Sequence, residues 1–122
     1  AAASGGGGGT VVWIEPTPTD WNFNGGDTSK TLVINPPIDR TLLDADADVV
    51  VSFNYSSAGP ISTALWWVEN LSADVTIPVG EGSMTAVIGR QGDLTDNPDG
   101  LLMNVDHNNL RVSTVRIRFT YK

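Results

Sequence analysis

The chain contains no cysteine, which excludes a disulfide framework and a thiolate metal site. Small domains that fold outside cells often depend on disulfides, so this absence favours assembly in the cytosol or a fold that oligomerisation stabilises. No apolar run approaches the roughly 18 residues that a membrane-spanning helix needs. The sequence therefore predicts no membrane insertion.

Positive charge is scarce and unevenly placed. The 122 residues include seven Lys and Arg against fourteen Asp and Glu, for a net charge of −7. Residues 111–122 carry +4 and no acid, so the other 110 residues carry 3 − 14 = −11. So acidic a body repels phosphate backbones, and nucleic acid is not an expected partner. The basic stretch is interpreted as an internal ion-pairing surface, a subunit contact or a solvated strand face.

The same C-terminal stretch is the longest regular pattern in the sequence. Val115, Ile117, Phe119 and Tyr121 alternate with polar residues, and a period of two is typical of a half-buried strand. Leu110 and Val112 have the opposite parity. A β-bulge around residues 113–114 would return both to the apolar face. We therefore expect a bulged final strand with residues 115, 117 and 119 in the core.

Further short strands are predicted before it, separated by turns rich in Gly, Pro, Asn and Asp. Their predicted ranges are 10–15, 30–35, 48–55, 63–69, 74–78, 83–89 and 101–105, and residues 40–44 are predicted as a short strand or a helical turn. About eight strands and no convincing helix predict an all-β, two-sheet antiparallel sandwich. A jelly roll is the preferred topology and an immunoglobulin-like sandwich the alternative.

The first nine residues, which include Gly5, Gly6, Gly7, Gly8 and Gly9, cannot form a packed core. The sequence therefore predicts an N-terminal arm over residues 1–9 and one β-sandwich domain over residues 10–122. The arm is interpreted as a contact to a neighbouring subunit, with Trp13 close to where it departs. An engineered linker is the alternative interpretation.

Catalytic and metal-binding patterns are poorly represented. His107 is the only histidine, and no serine lies in a nucleophile-elbow motif, so we expect no enzymatic activity and no cofactor. The acidic run 44–48 lacks the glycine and glutamate of a calcium loop, because Val49 and Tyr55 stand at those positions. The loop 90–100 is rich in oxygen ligands, and Asp93, Asp96, Asn97 and Asp99 form a possible ligand loop. We predict no bound metal but expect this loop to face a partner.

The four tryptophans are the most specific feature. Trp66 and Trp67 are consecutive in a predicted strand, so their side chains must point to opposite faces. We expect Trp66 to make the outer face apolar, as at a partner-binding or ligand-binding surface. Trp21, in the loop 20–27, is the second aromatic candidate, either as a ligand contact or as a cover for Trp66. Because tryptophan rings can stack on sugar rings, a carbohydrate-binding or adhesin module is the alternative predicted function.

Taken together, the glycine tract, the short strands, the Thr, Asn and Asp turns, the missing cysteines and the acidic body resemble small virion proteins of tailed bacteriophages, such as capsid decoration proteins and tail-fibre or spike modules. The resemblance implies a non-enzymatic structural protein located in the virion and assembled in the host cytoplasm. It further implies a homo-oligomer, with a trimer favoured, that binds other virion subunits through its arm. A host-surface glycan is the further candidate partner.

Overall fold

A computed structural model describes residues 9–23, 27–68, 71–106 and 110–122, with the backbone alone described at residues 66–68. Eight strands occur in these ranges: β1 Val11–Ile14, β2 Ser29–Val33, β3 Asp48–Ser57, β4 Ile61–Val68, β5 Leu71–Ile77, β6 Gly80–Arg90, β7 Gly100–Val105 and β8 Leu110–Thr120. Three short 3₁₀ helices accompany them at Pro18–Trp21, Arg40–Leu42 and Gln91–Asp93. In this part of the chain, no helix is long and apolar enough to cross a membrane.

The strands form two antiparallel four-stranded sheets. The first has the order β1-β8-β3-β6 and the second the order β2-β7-β4-β5. Most consecutive strands therefore lie in opposite sheets, and β4 with β5 is the one consecutive pair hydrogen-bonded to each other within the described ranges. This strand order is that of a jelly roll. The predicted all-β sandwich is thus confirmed, and the immunoglobulin-like alternative is not the observed topology.

The final strand contains the predicted bulge. Asn54 of β3 is opposite Thr114, but the next residue, Tyr55, is opposite Val112, so Ser113 is an extra residue in β8. Because the bulge changes the parity of the strand, Val112 and Val115 both face the core. Val115, Ile117 and Phe119 are each at most 1% exposed, which confirms the predicted core face.

The core between the sheets is built from the alternate residues of the long strands and closed by two aromatic residues from outside them. Trp21 and Phe23 are fully buried, and the Trp21 ring makes an edge-to-face contact with Phe53 at a centroid distance of 5.9 Å. The Trp21 indole N–H donates to the carbonyl of Leu101 at 3.2 Å, so its polar atom is satisfied in the core. The segment 17–23 therefore packs between β2 and β8, since the Val33 amide donates to Asp20 and the Phe23 amide donates to the Leu110 carbonyl.

At one end of the sandwich the loop 90–100 packs against the segment 34–48 through hydrogen bonds. The amides of Ile34 and Ile38 donate to the carbonyls of Asp99 and Pro98, at 2.8 and 3.0 Å. Residues 40–44, predicted as a strand or a turn, form the 3₁₀ helix Arg40–Leu42 followed by a bridge between Leu43 and Tyr121. This end of the molecule is thus ordered by backbone contacts between two irregular segments.

Gln91 is the centre of that contact and is only 3% exposed. Its side-chain nitrogen donates to the carbonyls of Asp44 and Thr120 at 2.7 and 2.8 Å, and its side-chain oxygen accepts from the Thr120 amide at 2.8 Å. Its own amide donates to Ala47 at 2.8 Å. One buried amide side chain therefore ties the turn at Asp44 to the end of β8 through their backbone groups.

Candidate assembly surface

The outer face of the first sheet combines aromatic, aliphatic and basic side chains. On β8, the residues between the buried ones point outward, and they include Arg116 and Arg118. On β1, Trp13 is opposite Arg118 in the register and is 41% exposed. We call Trp13, Arg116 and Arg118 the basic aromatic face. Strand alternation places all three on the same side because β1 and β8 are paired in register.

Within this face the Arg116 guanidinium lies over the Trp13 ring, 5.1 Å from the ring centroid. Such a cation–π contact stabilises an exposed pair by about 0.5–1 kcal/mol. It also holds one face of the indole under a positive charge. The contact joins the first and last strands of the sandwich, so it exists only because the fold brings the two ends of the chain together.

The positive charges of this face have no carboxylate partner among the described residues. Neither Arg116 nor Arg118 lies within 4.0 Å of a described carboxylate. The ion pair found among the described residues joins Lys30 and Asp27 at 3.9 Å, outside this face. Arg118 makes a long 3.5 Å hydrogen bond to the Asp48 carbonyl, and its buried Nε has no acceptor in the described part of the molecule. The interpretation of the basic strand as an internal ion-pairing surface therefore does not hold for these two arginines, which leaves a subunit contact or a solvated face.

A polar cavity of about 290 Å³ adjoins the same face. Its lining residues are Glu15, Ser52, Phe53, Asn54, Thr114 and Arg116. A larger cleft of about 640 Å³ lies between the end of β1 and the end of β2, and it is lined mainly by Ile, Val and Pro with two carboxylates, Glu15 and Asp20. The Asp20 carboxylate accepts a hydrogen bond from the Val33 amide at 3.0 Å.

The structure places the predicted aromatic residues differently from one another. Trp13 is on the surface, as expected for a partner contact. Trp21 is in the core, so its assignment to a ligand-binding loop is wrong: a fully buried ring has no face for a sugar. It was misassigned because its neighbours are turn-forming residues, and a single apolar residue in a polar segment gives no periodic pattern that would indicate burial. Trp66 pairs with Ser72 and Leu102, but its side chain lies outside the described residues, as do those of Trp67 and Val68.

The predicted arm can be followed only at its end. Gly5, Gly6, Gly7 and Gly8 lie outside the described residues. Gly9 lies beside the C-terminal end of its own chain, where a Cβ atom would overlap the carbonyl group of Tyr121. The Tyr121 amide donates to the neighbouring Thr10 carbonyl at 2.8 Å. Glycine at position 9 is thus required by a close backbone approach, and the contact of residues 5–8 with a neighbour stays a prediction.

The predicted ligand loop is exposed at its carboxylates but attached at its backbone. Asp93, Asp96 and Asp99 are exposed, whereas Leu94 and Pro98 between them are buried. The Asn97 side-chain oxygen accepts from the Arg40 amide at 3.0 Å. Among the described residues, no three His, Cys, Asp or Glu side chains come close enough to hold a metal ion.

One titratable group next to this loop is perturbed. The side-chain hydroxyl and the amide of Thr41 both donate to the Asp39 carboxylate, at 2.7 and 3.0 Å, and these hydrogen bonds lower the pKa of Asp39 below its ordinary value of 3.8. The carboxylate caps the 3₁₀ helix Arg40–Leu42. Its role is therefore local and structural.

The chain was compared with known proteins by sequence and by fold. No protein-family model and no curated protein matches it. Its fold is similar to the coat protein of Tobacco streak virus, solved as a dimer, with a TM-score of 0.51 and 11% identity over 91% of this chain and 86% of that one. A second crystal form of that coat protein gives 0.50 and 10%, over 90% and 85% of the two chains.

A Podospora anserina β-(1,4)-mannanase of GH26-CBM35 organisation is also similar, with a TM-score of 0.46 and 12% identity over 92% of this chain and 28% of that one. A TM-score below 0.5 is too low to support a conclusion. The coat-protein likeness, at 10–11% identity, shows a shared fold and no more. The chain thus has the jelly-roll fold that is also found in a viral coat protein.

Proposed function

We propose that this chain is a non-enzymatic structural subunit of a virus particle, which binds other subunits through the basic aromatic face. The observation that carries the proposal is the set of unpaired arginines on an otherwise acidic molecule. Arg116 and Arg118 lie on the outer face of the first sheet beside a half-exposed tryptophan, and neither has a described carboxylate within 4.0 Å. Tryptophan and arginine are the residues most enriched at the centres of protein interfaces.

One further fact supports a structural role: the fold matches that of a viral coat protein over most of both chains. The more specific form of the proposal is the one that the sequence suggested: a decoration or tail protein of a tailed bacteriophage, located in the virion, forming a trimer and attached through its N-terminal arm. The jelly roll is compatible with that form and does not select it.

The test is assembly of the purified protein, followed by size-exclusion chromatography with light scattering and by electron microscopy. We expect assemblies larger than a monomer for the wild type. Trp13→Ala and the double variant R116S/R118S should lose most of that assembly while lowering the melting temperature by no more than about 6 °C, because the cation–π contact that both remove stabilises the fold by only about 0.5–1 kcal/mol. Val33→Ala, which truncates a side chain 53% exposed on the second sheet, is the matched control.

The dependence of assembly on salt concentration provides a second test. Contacts between exposed charges weaken as salt shortens the screening length, from about 10 Å at 0.1 M to about 3 Å at 1 M. Assembly that relies on the two arginines should therefore decline with added NaCl, and the R116S/R118S variant should show little further decline. Wild-type protein that stays monomeric at every concentration would contradict the proposal.

A glycan-binding function is the second candidate, and one observation favours it. The cavity beside Trp13 is lined by a carboxylate, an amide, a guanidinium and two hydroxyl groups, the kind of polar groups that hydrogen-bond sugars. The exposed part of the Trp13 ring would supply an aromatic surface for a pyranose. A glycan array separates the two functions: retention that Asn54→Ala abolishes would favour the sugar, and a blank array would exclude it.

A further inference from the structure

The four edge strands of the sandwich differ in how their free sides are protected. β1 has four residues and is followed by Pro16 and Pro18. β2 has its edge covered by the segment after β1: the Val33 amide donates to Asp20, and the Lys30 ammonium group donates to the Asn22 carbonyl at 2.9 Å. Short length, proline and a covering segment are common ways to prevent edge-to-edge pairing.

The remaining two edge strands, β5 and β6, differ in length and in the charged and proline residues that protect them. β5 has seven residues, an exposed Asp74 at its middle and Pro78 directly after it. β6 has eleven residues and pairs with β3 on one side, and no described strand pairs with its other side. From residue 82 to residue 89 it contains neither a proline nor a charged residue. Long, uncharged edges of this kind act as templates for another strand.

The shape of β6 also favours pairing. Its register with β3 is regular from Gly80 to Val87, and the one irregularity, between Val49 and Val50, affects only its C-terminal end. Val87 is 55% exposed on the outer face, among exposed polar residues of the same strand. A positive φ of 102° at Gly80 lets the chain turn into the strand. The outer backbone groups of β6, which no described strand pairs with, therefore form an edge of regular register from Gly80 to Val87.

We propose that β6 is a pairing edge through which two copies of this chain join, antiparallel, into one continuous eight-stranded sheet. Charge selects both the occupant and the direction. The strand carries Glu81 at its start and Arg90 at its end, so antiparallel pairing with a second β6 brings the acidic end of each strand to the basic end of the other. Parallel pairing would bring like charges together.

The pairing deepens the proposed function, because it rests on self-assembly and names a second contact for it. The interface is isologous, as in most dimers, since the same strand contributes on both sides. It would extend the outer face of the first sheet over two subunits and place two basic aromatic faces on one surface. Because main-chain hydrogen bonds supply the contact, the interface needs little apolar area.

The experiment changes three exposed, outward-facing residues of β6 together: Ser83→Lys, Thr85→Lys and Val87→Lys. In an antiparallel pair, residues on the same face are opposite each other, so lysines oppose lysines whatever the exact register near the strand centre. The control is Thr31→Lys, Ser72→Lys and Thr76→Lys, which adds the same charge to exposed positions of the second sheet, on β2 and β5, away from the basic aromatic face. The dissociation constant of the dimer, from analytical ultracentrifugation, should rise about tenfold or more for the β6 variant and less than about threefold for the control.

A complementary variant makes the result specific. The same three β6 positions changed to Glu should also weaken self-pairing, and an equimolar mixture of the Lys and Glu variants should recover pairing to within about threefold of wild type. Hydrogen exchange gives a direct view: alternate β6 amides, those not bonded to β3, should exchange more slowly as the wild-type concentration rises.

Three outcomes would overturn the inference: wild-type affinity in the β6 Lys variant, equal weakening in the control, or a mixture that stays monomeric. In each of these the proposed assembly through the basic aromatic face can still stand. A wild type that never associates would overturn both proposals. Protection of the β6 amides that appears only with a different protein would identify a partner other than a second copy, and would likewise refute this one.

Discussion

The centre of the first sheet and the loop end of the sandwich are held together by different interactions. In the centre, β3 and β8 pair along most of their ten and eleven residues and bury one face of each strand. At the loop end, the segments 34–48 and 91–99 bury Leu43 and Leu94 but also meet through backbone hydrogen bonds and one buried polar side chain, Gln91. The centre depends on apolar area, whereas the end depends in addition on the exact placement of a few donors and acceptors.

The difference has a consequence for tolerance to mutation. Apolar burial is non-directional, so a core position accepts another side chain of similar volume at modest cost. A buried hydrogen-bonding residue accepts almost none, because each backbone group left without a partner costs about 1–3 kcal/mol. We expect the centre to be sensitive to volume and the loop end to be sensitive to chemistry.

The largest expected effect is in the centre. Phe119→Ala removes a fully buried aromatic ring from β8 and should lower the free energy of unfolding by about 3–5 kcal/mol, measured by urea denaturation. Phe119→Leu, which keeps much of the volume, should cost clearly less. A loss below about 1 kcal/mol for the alanine variant would mean that the ring is not a core residue.

An intermediate effect is expected at the loop end. Gln91→Leu keeps the approximate size of the side chain but leaves the Thr120 amide without its acceptor and removes one of two donors from each of the Asp44 and Thr120 carbonyls. It should cost about 1–3 kcal/mol in the same assay. Gln91→Met, equally apolar but more flexible, is the control for shape and should be about as costly. A neutral result for both would show that water replaces the amide and that the contrast between the two regions is false.

The smallest effect concerns the pH dependence of the loop end. Hydrogen bonds from Thr41 lower the pKa of Asp39, so the carboxylate contributes stability above pH 3.8, and that contribution is lost as the pH falls through the lower pKa of the folded state. Asp39→Asn should therefore lower the melting temperature slightly at neutral pH, and the difference from wild type should shrink below pH 3.8. A constant difference across that range would exclude the charge as its cause.

The centre of the molecule was readable from the sequence because its signal is periodic. Residues 115, 117 and 119 alternate with polar neighbours, and a period of two has one structural explanation. The bulge at Ser113 was predictable for the same reason, since Leu110 and Val112 could reach the core in no simpler way. The number of strands and the sandwich class followed, although β3 and β6 are longer than predicted.

The loop end and the candidate surface were not readable in this way. Gln91 stands in a polar segment with nothing to distinguish it from a solvated residue, and Trp21 stands among turn formers, yet both are buried. The contact of Arg116 with Trp13 joins residues about a hundred positions apart in the sequence, and no local pattern reports it. Such features depend on which strands pair, and pairing is decided by the whole chain.

The sequence by itself determined the strand class, the core face of β8 and its bulge, and the acidic body with a basic last strand, because these depend on local alternation and on charge. Tertiary structure decided the strand order, the burial of Trp21 and Gln91, and which edges are left open. The physical reason is range: periodicity acts between neighbours in the chain, whereas the jelly-roll order pairs the first strand with the last. That no described strand pairs with the outer side of β6 is therefore a property of the fold. The absence of proline and charge from residue 82 to residue 89 is a property of the sequence.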